Sequence, residues 1–462
     1  MSRPILFWST NDRERKAQGL DFSDALMQGL APDKGLYMMR QEDLPRISDS
    51  DMAEFPSLPY SEIAFRIIRP FVQGRVPDDI FHAICVDAYT YDVPMERHAP
   101  GFYILRLDRG PTGSFKDFAA RMMARLMQYF LRQKNRSATI LTATSGDTGG
   151  AVAAAFHGLQ NVRCVVLYPG TEVSDRQRRQ MTTLGDNVFA IDISGKFDDC
   201  QALVKQAFVD PELAGFELTS ANSINVGRLI PQSVYYFYAA SRIHSGDKKP
   251  LGICVPSGNF GNLMGGLLAK HMGLQVEKFL AAVNENDEVP IFWRTENYMP
   301  VVPSRNCLSN AMNVGHPSNL ARVVALYSGS MDEKGCVHEL PDMDALRRDI
   351  DSVEVSDKET RQAIKDCYER FGAIIEPHGA VGYCAIQKLG FTDTYTTIML
   401  ETAHPAKFPE VGREVIGVEP ELPESMKLTE SRAEIRLYCA NDYAAFKNML
   451  TELLSSTKKP GR

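Results

Sequence analysis

From residue 101 onward the chain alternates between two hydrophobic patterns. Short, largely apolar runs bounded by turn residues predict strands at 102–108, 138–143, 162–168, 187–193, 252–256, 279–283 and 395–400. Between them, apolar residues recurring every three to four positions predict helices near 115–133, 148–158, 174–184, 197–209, 226–244, 261–272, 358–371 and 379–389. Strands that are apolar on both faces and separated by helices imply parallel sheets covered on both sides. The expected fold class is therefore α/β, with two doubly wound units. Residues 1–95 have a different texture. Helical spacing predicts helices over 21–30, 60–72 and 78–90, with Asp21 or Ser23 capping the first. This segment reads as an N-terminal, mostly helical domain. The short polar stretch 92–101, with Pro94 and Pro100, predicts a boundary, so the expected division is 1–95, 96–245 and 246–462. Four prolines, at 290, 300, 303 and 317, predict an irregular insertion near 285–357.

Composition narrows the class. A hydrophobic content of 44% and a charged content of 24% are those of an ordinary soluble globular protein. The net charge of −7 comes with no block of like charge, which argues against nucleic-acid and membrane-surface partners, since both need basic patches. The opening Met1-Ser-Arg-Pro-Ile-Leu-Phe-Trp8 lacks an apolar core long enough for a secretion signal, and no apolar run reaches the roughly 20 residues that span a bilayer. The nine cysteines form no Cys-x-x-Cys pair; Cys164 and Cys254, in strand-like runs, read as buried free thiols of a reducing cytoplasm. The nine histidines show no His-x-x-x-His spacing, so no metal site is expected.

Four loops at strand ends carry the candidate chemistry. In the first, 110–118, a Gly/Pro-rich turn delivers Lys116 to the first turn of a helix. An amine there points into the crevice where α/β folds bind ligands, and it suits a Schiff base with an aldehyde cofactor once burial and neighbouring cations lower its pKa. A solvated lysine is the plain alternative. The second loop, 142–150, puts Thr144, Ser145, Gly146, Asp147 and Thr148 at a helix start. Such residues present N–H groups to a carboxylate or phosphate, or cap their own helix through Ser145 or Asp147; both readings stand. The third, 256–266, contains Gly258-Asn-Phe-Gly261, a turn able to cradle one phosphate, while Gly265 and Gly266 equally suit tight helix–strand packing. The fourth, 400–408, gathers Thr402, His404 and Lys407 after the last strand.

Taken together, in this order and at these separations, Phe115-Lys-Asp117, Ser145-Gly-Asp-Thr-Gly149, Ser257-Gly-Asn-Phe-Gly261 and Thr402-Ala-His-Pro-Ala-Lys-Phe408 resemble the threonine synthase family, longer bacterial and fungal branch. The resemblance extends to 22–37, 218–225 and Glu376-Pro-His-Gly-Ala380. It implies the fold-type II architecture of pyridoxal-phosphate enzymes and pyridoxal 5'-phosphate as cofactor. It also implies a cytoplasmic enzyme, monomer or homodimer, that converts O-phospho-L-homoserine and water to L-threonine and phosphate. By resemblance, Lys116 is the catalytic Schiff-base lysine in the 96–245 unit, and the cofactor phosphate loop in the 246–462 unit comprises Gly258, Asn259, Phe260, Gly261 and Asn262. Thr402 faces the pyridine nitrogen, Asp147 lies near the 3′-oxygen, and Thr144, Ser145, Gly146 and Thr148 bind the substrate carboxylate. Ser223, Asn225, Arg228 and Lys407, with Arg109, are the candidates for the substrate phosphate; a capped helix start is the equal alternative for 222–228. Two positions depart from the family pattern. Arg109 stands where a histidine is usual, and Asn262 replaces a common aspartate. The rival activities are another lyase on the same scaffold, either a phospho-lyase or a hydroxy-amino-acid dehydratase, and a binding protein that has lost the chemistry. A nicotinamide dehydrogenase is disfavoured because no glycine fingerprint with a downstream acid is present.

Overall fold

The computed structural model describes residues 4–12 and 16–456, so the first three residues of the N-terminal stretch read above lie outside it. The chain forms two compact units, each assembled from separate stretches of sequence: 1–109 with 223–421, and 110–222 with 422–462.

The first unit is built on a six-stranded sheet. Its order is Ile350–Glu354, Lys278–Val283, Leu251–Pro256, Thr396–Glu401, Phe102–Arg106, Met95–Ala99. All neighbours are parallel except the last pair. The four inner strands are buried along nearly their whole length, as runs without polar alternation require. Ile104, Leu280 and Met399 pack with Val381 and Ile386 of the helix Pro377–Lys388 in one core. The second unit holds a parallel sheet in the order Leu437–Ala440, Val188–Ser194, Val162–Pro169, Ala138–Ala143, Leu218–Thr219. Val165, Leu167 and Ile191 meet Leu203 and Phe446 in its core.

The expected strands and helices are present, with ends shifted by a residue or two. The differences have physical reasons. The stretch expected as a boundary contains the edge strand Met95–Ala99, which pairs on one side only and keeps the polar sequence of an edge. Because that strand and Phe102–Arg106 join the sheet of the first unit, the boundary at 95 falls inside a unit; the chain leaves this unit at Arg109. The boundary at 245 does likewise, since the helices after Ser223 belong to the first unit. The expected helix 226–244 is divided into Val226–Leu229, a 3-10 turn Ile230–Ser233 and Val234–Ser241, because Pro231 supplies no N–H. The irregular insertion contains one strand of the main sheet, Ile350–Glu354, whose polar alternation hides it. Asp21 rather than Ser23 caps the first helix, accepting from the Asp24 N–H while the Ser23 hydroxyl donates to it at 2.7 Å.

Candidate active site

In the first unit, two candidate loops leave the same edge of the sheet. Strands Leu251–Pro256 and Thr396–Glu401 are parallel neighbours with Cys254 beside Met399, so Ser257–Asn262 and Thr402 both lie beyond their carboxyl ends. That edge is where open parallel sheets bind ligands. The loop is held rigidly. The Ser257 hydroxyl donates to the Val255 carbonyl at 2.9 Å. Asn259 donates from Nδ2 to Ser223 Oγ at 2.7 Å and accepts the Ser318 N–H at 2.6 Å. Asn262 Oδ1 accepts both the Tyr235 and Tyr236 hydroxyls. Phe260 adopts a left-handed conformation, φ 59°, immediately before the helix Gly261–His271. As a result, none of the N–H groups from Gly258 through Leu263 meets an acceptor among the described residues. The buried Nδ2 of Asn262 also has no partner. A row of converging donors at a helix start fits a phosphate group. A Cβ on Gly258 would come within 2.8 Å of Met312 Cα, so glycine is required there for close backbone packing.

Thr402 is buried, and its hydroxyl lies 3.5 Å from Glu376 Oε1 rather than on local backbone. Glu376 is the cap of the helix Pro377–Lys388 and accepts the N–H groups of His378 and Gly379. His378 Nε2 accepts the Ala311 N–H at 3.1 Å, so the ring's proton sits on Nδ1 and faces Glu376. The neighbouring Glu401 carboxyl is pushed well above its ordinary range by burial, with the Glu376 charge adding to the effect. His404 is neutral: burial lowers its pKa to about 4, and its Nδ1 accepts the Ala406 N–H. Glu376 and His378 were visible in the sequence only as part of a motif, with no role attached to either.

Ser223 Oγ accepts from both Asn259 and Asn319. Asn319 is in turn held by Arg322, a fully buried guanidinium that also donates to the carbonyls of Tyr37, Ser223 and Ile224. Neither Asn319 nor Arg322 was expected from the sequence: Asn319 reads as an ordinary residue before a helix, and Arg322 is a single polar residue within the apolar helix Leu320–Leu326. Asn225 is fully buried; its Oδ1 caps Val226–Leu229 and its Nδ2 donates to the Leu26 carbonyl. The capping alternative therefore holds for Asn225, and its amide is not available to a substrate. Arg228 and Lys407 are buried in the same unit. The Arg109 guanidinium lies 3.8 Å from Asp108 and 3.9 Å from Glu96.

In the second unit, Lys116 opens the helix Lys116–Lys134, with its side chain 14% exposed and its Nζ 3.8 Å from Asp147 Oδ2. Asp117 braces the turn before it, accepting from the N–H and the hydroxyl of Thr112. Asp147 Oδ1 accepts from Gln177 at 3.0 Å. The loop after Ala138–Ala143 is shaped by Thr144, whose hydroxyl accepts the N–H groups of Gly146 and Gly149 and donates to the Gly146 carbonyl. That hydroxyl has no capacity left, and the Thr144 N–H is taken by Leu167, so the expectation that Thr144 binds substrate is corrected: it builds the loop. The cap position of the helix Asp147–Phe156 is Gly146, at φ 137°, so neither Ser145 nor Asp147 occupies it. A Cβ there would meet the Gln177 side chain at 2.6 Å. Gln177, fully buried and seating both Gly146 and Asp147, is a further residue the sequence did not single out.

Elsewhere, Asp332, Cys336 and His338 converge in a hairpin of the first unit, where Asp332 accepts the N–H groups of Lys334 and Cys336 and contacts the His338 ring. All nine cysteines are free, and Cys164 and Cys254 are buried as expected. No helix among the described residues is long and apolar enough to cross a membrane.

Comparison with known proteins identifies the lineage. Residues 93–401 match the family described as pyridoxal-phosphate dependent enzyme. Residues 6–89 match the threonine synthase N terminus, and 379–450 the threonine synthase C-terminal family. The chain belongs to the threonine synthase family. It is 38% identical to the threonine synthase of Haemophilus influenzae over 93% of this chain and 96% of that one, and 38% identical to that of Escherichia coli with the same coverage. The crystal structure of Escherichia coli threonine synthase superposes with a TM-score of 0.87 at 35% identity, covering 97% of this chain and all of the other. The threonine synthase of Brucella melitensis, determined with pyridoxal phosphate bound, gives a TM-score of 0.88 at 33% identity over 98% of this chain and all of that one. Family membership makes pyridoxal phosphate the cofactor, and the unpartnered N–H groups of Gly258–Leu263 fit its phosphate.

Proposed function

We propose that this chain converts O-phospho-L-homoserine and water to L-threonine and phosphate, with pyridoxal phosphate held by Lys116. The observation that carries this reading is the end-to-end match to threonine synthases, including the N- and C-terminal regions that bear that family's name. When bound, the cofactor supplies an electron sink for negative charge developing on substrate carbon. Lys116 is the group that holds the cofactor and, once displaced by substrate, moves protons at Cα and Cβ. Asp147, 3.8 Å away and fixed by Gln177, orients the Lys116 amine. The N–H groups of Gly258, Asn259, Phe260, Gly261 and Asn262 bind the cofactor phosphate. With Asn262 in place of an aspartate, that cradle gains a neutral amide donor instead of a repelling charge.

Thr402 is assigned to the pyridine nitrogen; its single hydroxyl proton is directed at Glu376 Oε1 across 3.5 Å in this structure, so donation to the nitrogen would require the hydroxyl to turn from Glu376. Ser145 and Thr148, whose hydroxyls are free of capping duty, bind the substrate carboxylate together with the Gly146 backbone. Ser223, Arg228 and Lys407 serve the substrate phosphate. The enzyme is a cytoplasmic monomer or homodimer; the nine free thiols support a reducing compartment, and light scattering settles the assembly.

The test is product analysis with cofactor-loaded protein and O-phospho-L-homoserine. L-Threonine and phosphate in equal amounts support the proposal. Release of 2-oxobutanoate in place of threonine rejects it in favour of another lyase on the same scaffold.

A further inference from the structure

A cavity of about 460 Å³ opens in the first unit within 287–305, and none of the candidate active-site residues lines it. Its wall has two characters. Ile291, Met299 and Val302 supply apolar surface, and all three are unusually exposed for large hydrophobic residues. Exposed apolar side chains gathered at a concavity mark a binding surface. The opposite character comes from Glu288, Asp287 and Arg305. Asp287 and Arg305 satisfy each other at 3.0 Å. Glu288 is only 2% exposed, and its Oε2 has no hydrogen-bond partner. Tyr298 packs near it, but its hydroxyl is engaged by His316 Nδ1 at 2.8 Å. Burial raises the Glu288 carboxyl to about 7, Asp287 adds to that effect and Arg305 opposes it, so the group passes between neutral and charged near neutral pH.

A buried carboxylate oxygen without a partner, beneath an apolar-rimmed cavity, calls for a cation with an apolar body. We propose that this cavity binds a small alkylammonium ion, its nitrogen on the Glu288 carboxylate and its chain along Ile291, Met299 and Val302. Glu288 lines the cavity while its Oε2 is buried, so contact with the ligand requires the side chain to rotate toward it. The volume is ample for a body of about four to six carbons. This site is independent of the reading of the active site.

The experiment is calorimetric titration of the cofactor-loaded protein with n-butylammonium chloride, 1-butanol and sodium butanoate, at pH 6 and pH 8.5. Saturable one-site binding of n-butylammonium is expected at pH 8.5, at least about tenfold weaker at pH 6, where the carboxyl holds its proton. Butanol and butanoate are expected not to displace it. Glu288→Gln should weaken binding at least tenfold at pH 8.5 and remove the pH dependence. Val302 is 80% exposed, so Val302→Lys leaves the fold intact and should repel the ligand. Trp293, on the helix Glu288–Thr295, gives a fluorescence readout of the same event. Absence of saturable binding, equal binding of butanol, or unchanged affinity in either variant overturns the proposal.

Discussion

Gly258→Ala tests the phosphate cradle where the geometry is least forgiving. The added Cβ would stand 2.8 Å from Met312 Cα and 3.1 Å from the Ala311 carbonyl oxygen, and both obstacles are backbone. Ordinary contact begins at 3.4 Å, so the loop must move by about 0.6 Å (3.4 minus 2.8). A shift of that size breaks the alignment of at least one N–H with a bound phosphate. A hydrogen bond to a charged group contributes about 1.5–3 kcal/mol, so affinity for the cofactor should fall about 10- to 150-fold. Gly261→Ala is the control. Its Cβ meets only the side chains of Asn319 and Ser223, at 3.3 Å, and side chains yield more easily than backbone. Its loss should be smaller than that of Gly258→Ala. The assay is equilibrium titration of apoprotein with pyridoxal phosphate, followed by absorbance, with circular dichroism to verify folding. A folded Gly258→Ala protein with wild-type affinity, or a larger loss in Gly261→Ala, would refute the reasoning.

Three further outcomes are expected. Lys116→Ala should remain folded yet lose the Schiff-base absorbance and fall by at least about 10³-fold in turnover, since the holding and proton-moving group is gone; wild-type turnover in that variant ends its assignment. Thr402→Val should weaken cofactor binding by about tenfold, whereas Thr402→Asp should shift the bound cofactor's visible spectrum by protonating the ring nitrogen and slow threonine formation; a wild-type spectrum and rate in the aspartate variant would place Thr402 elsewhere. Glu288 should destabilise the fold as pH rises. Its folded pKa of about 7 exceeds the ordinary 4.5, so the unfolded chain loses this proton first, and stability falls between pH 4.5 and 7. The difference of about 2.5 units corresponds to about 3 kcal/mol. Glu288→Gln should therefore melt higher than wild type at pH 8 and equally at pH 4; equal melting at both would show that the carboxyl is not buried alone.

The inner strands were legible because burial on both faces leaves a continuous apolar run, as in Val162–Pro169 and Leu251–Pro256. The edges were not. Met95–Ala99 and Ile350–Glu354 pair or pack on fewer sides, keep polar residues, and look like loop. Linear order also concealed that Phe102–Arg106 belongs with strands some 150 and 290 residues later, because pairing partners leave no local trace. In the candidate site, loops announced by Gly and hydroxyl residues were located, and division of labour within them was not. Ser145 and Asp147 are interchangeable as caps in sequence, and only the geometry gives the turn to Thr144. Gln177, Glu376 and Arg322 act on residues far along the chain, through contacts no spacing rule encodes.

Hydration in water enriched in oxygen-18 tests the central claim most directly. If the chain cleaves the carbon–oxygen bond of O-phospho-L-homoserine and adds water at Cβ, each threonine formed carries one labelled oxygen, in its hydroxyl, and the released phosphate carries none. Labelled phosphate accompanied by unlabelled homoserine would mean phosphorus–oxygen cleavage by a phosphatase, and would contradict the account.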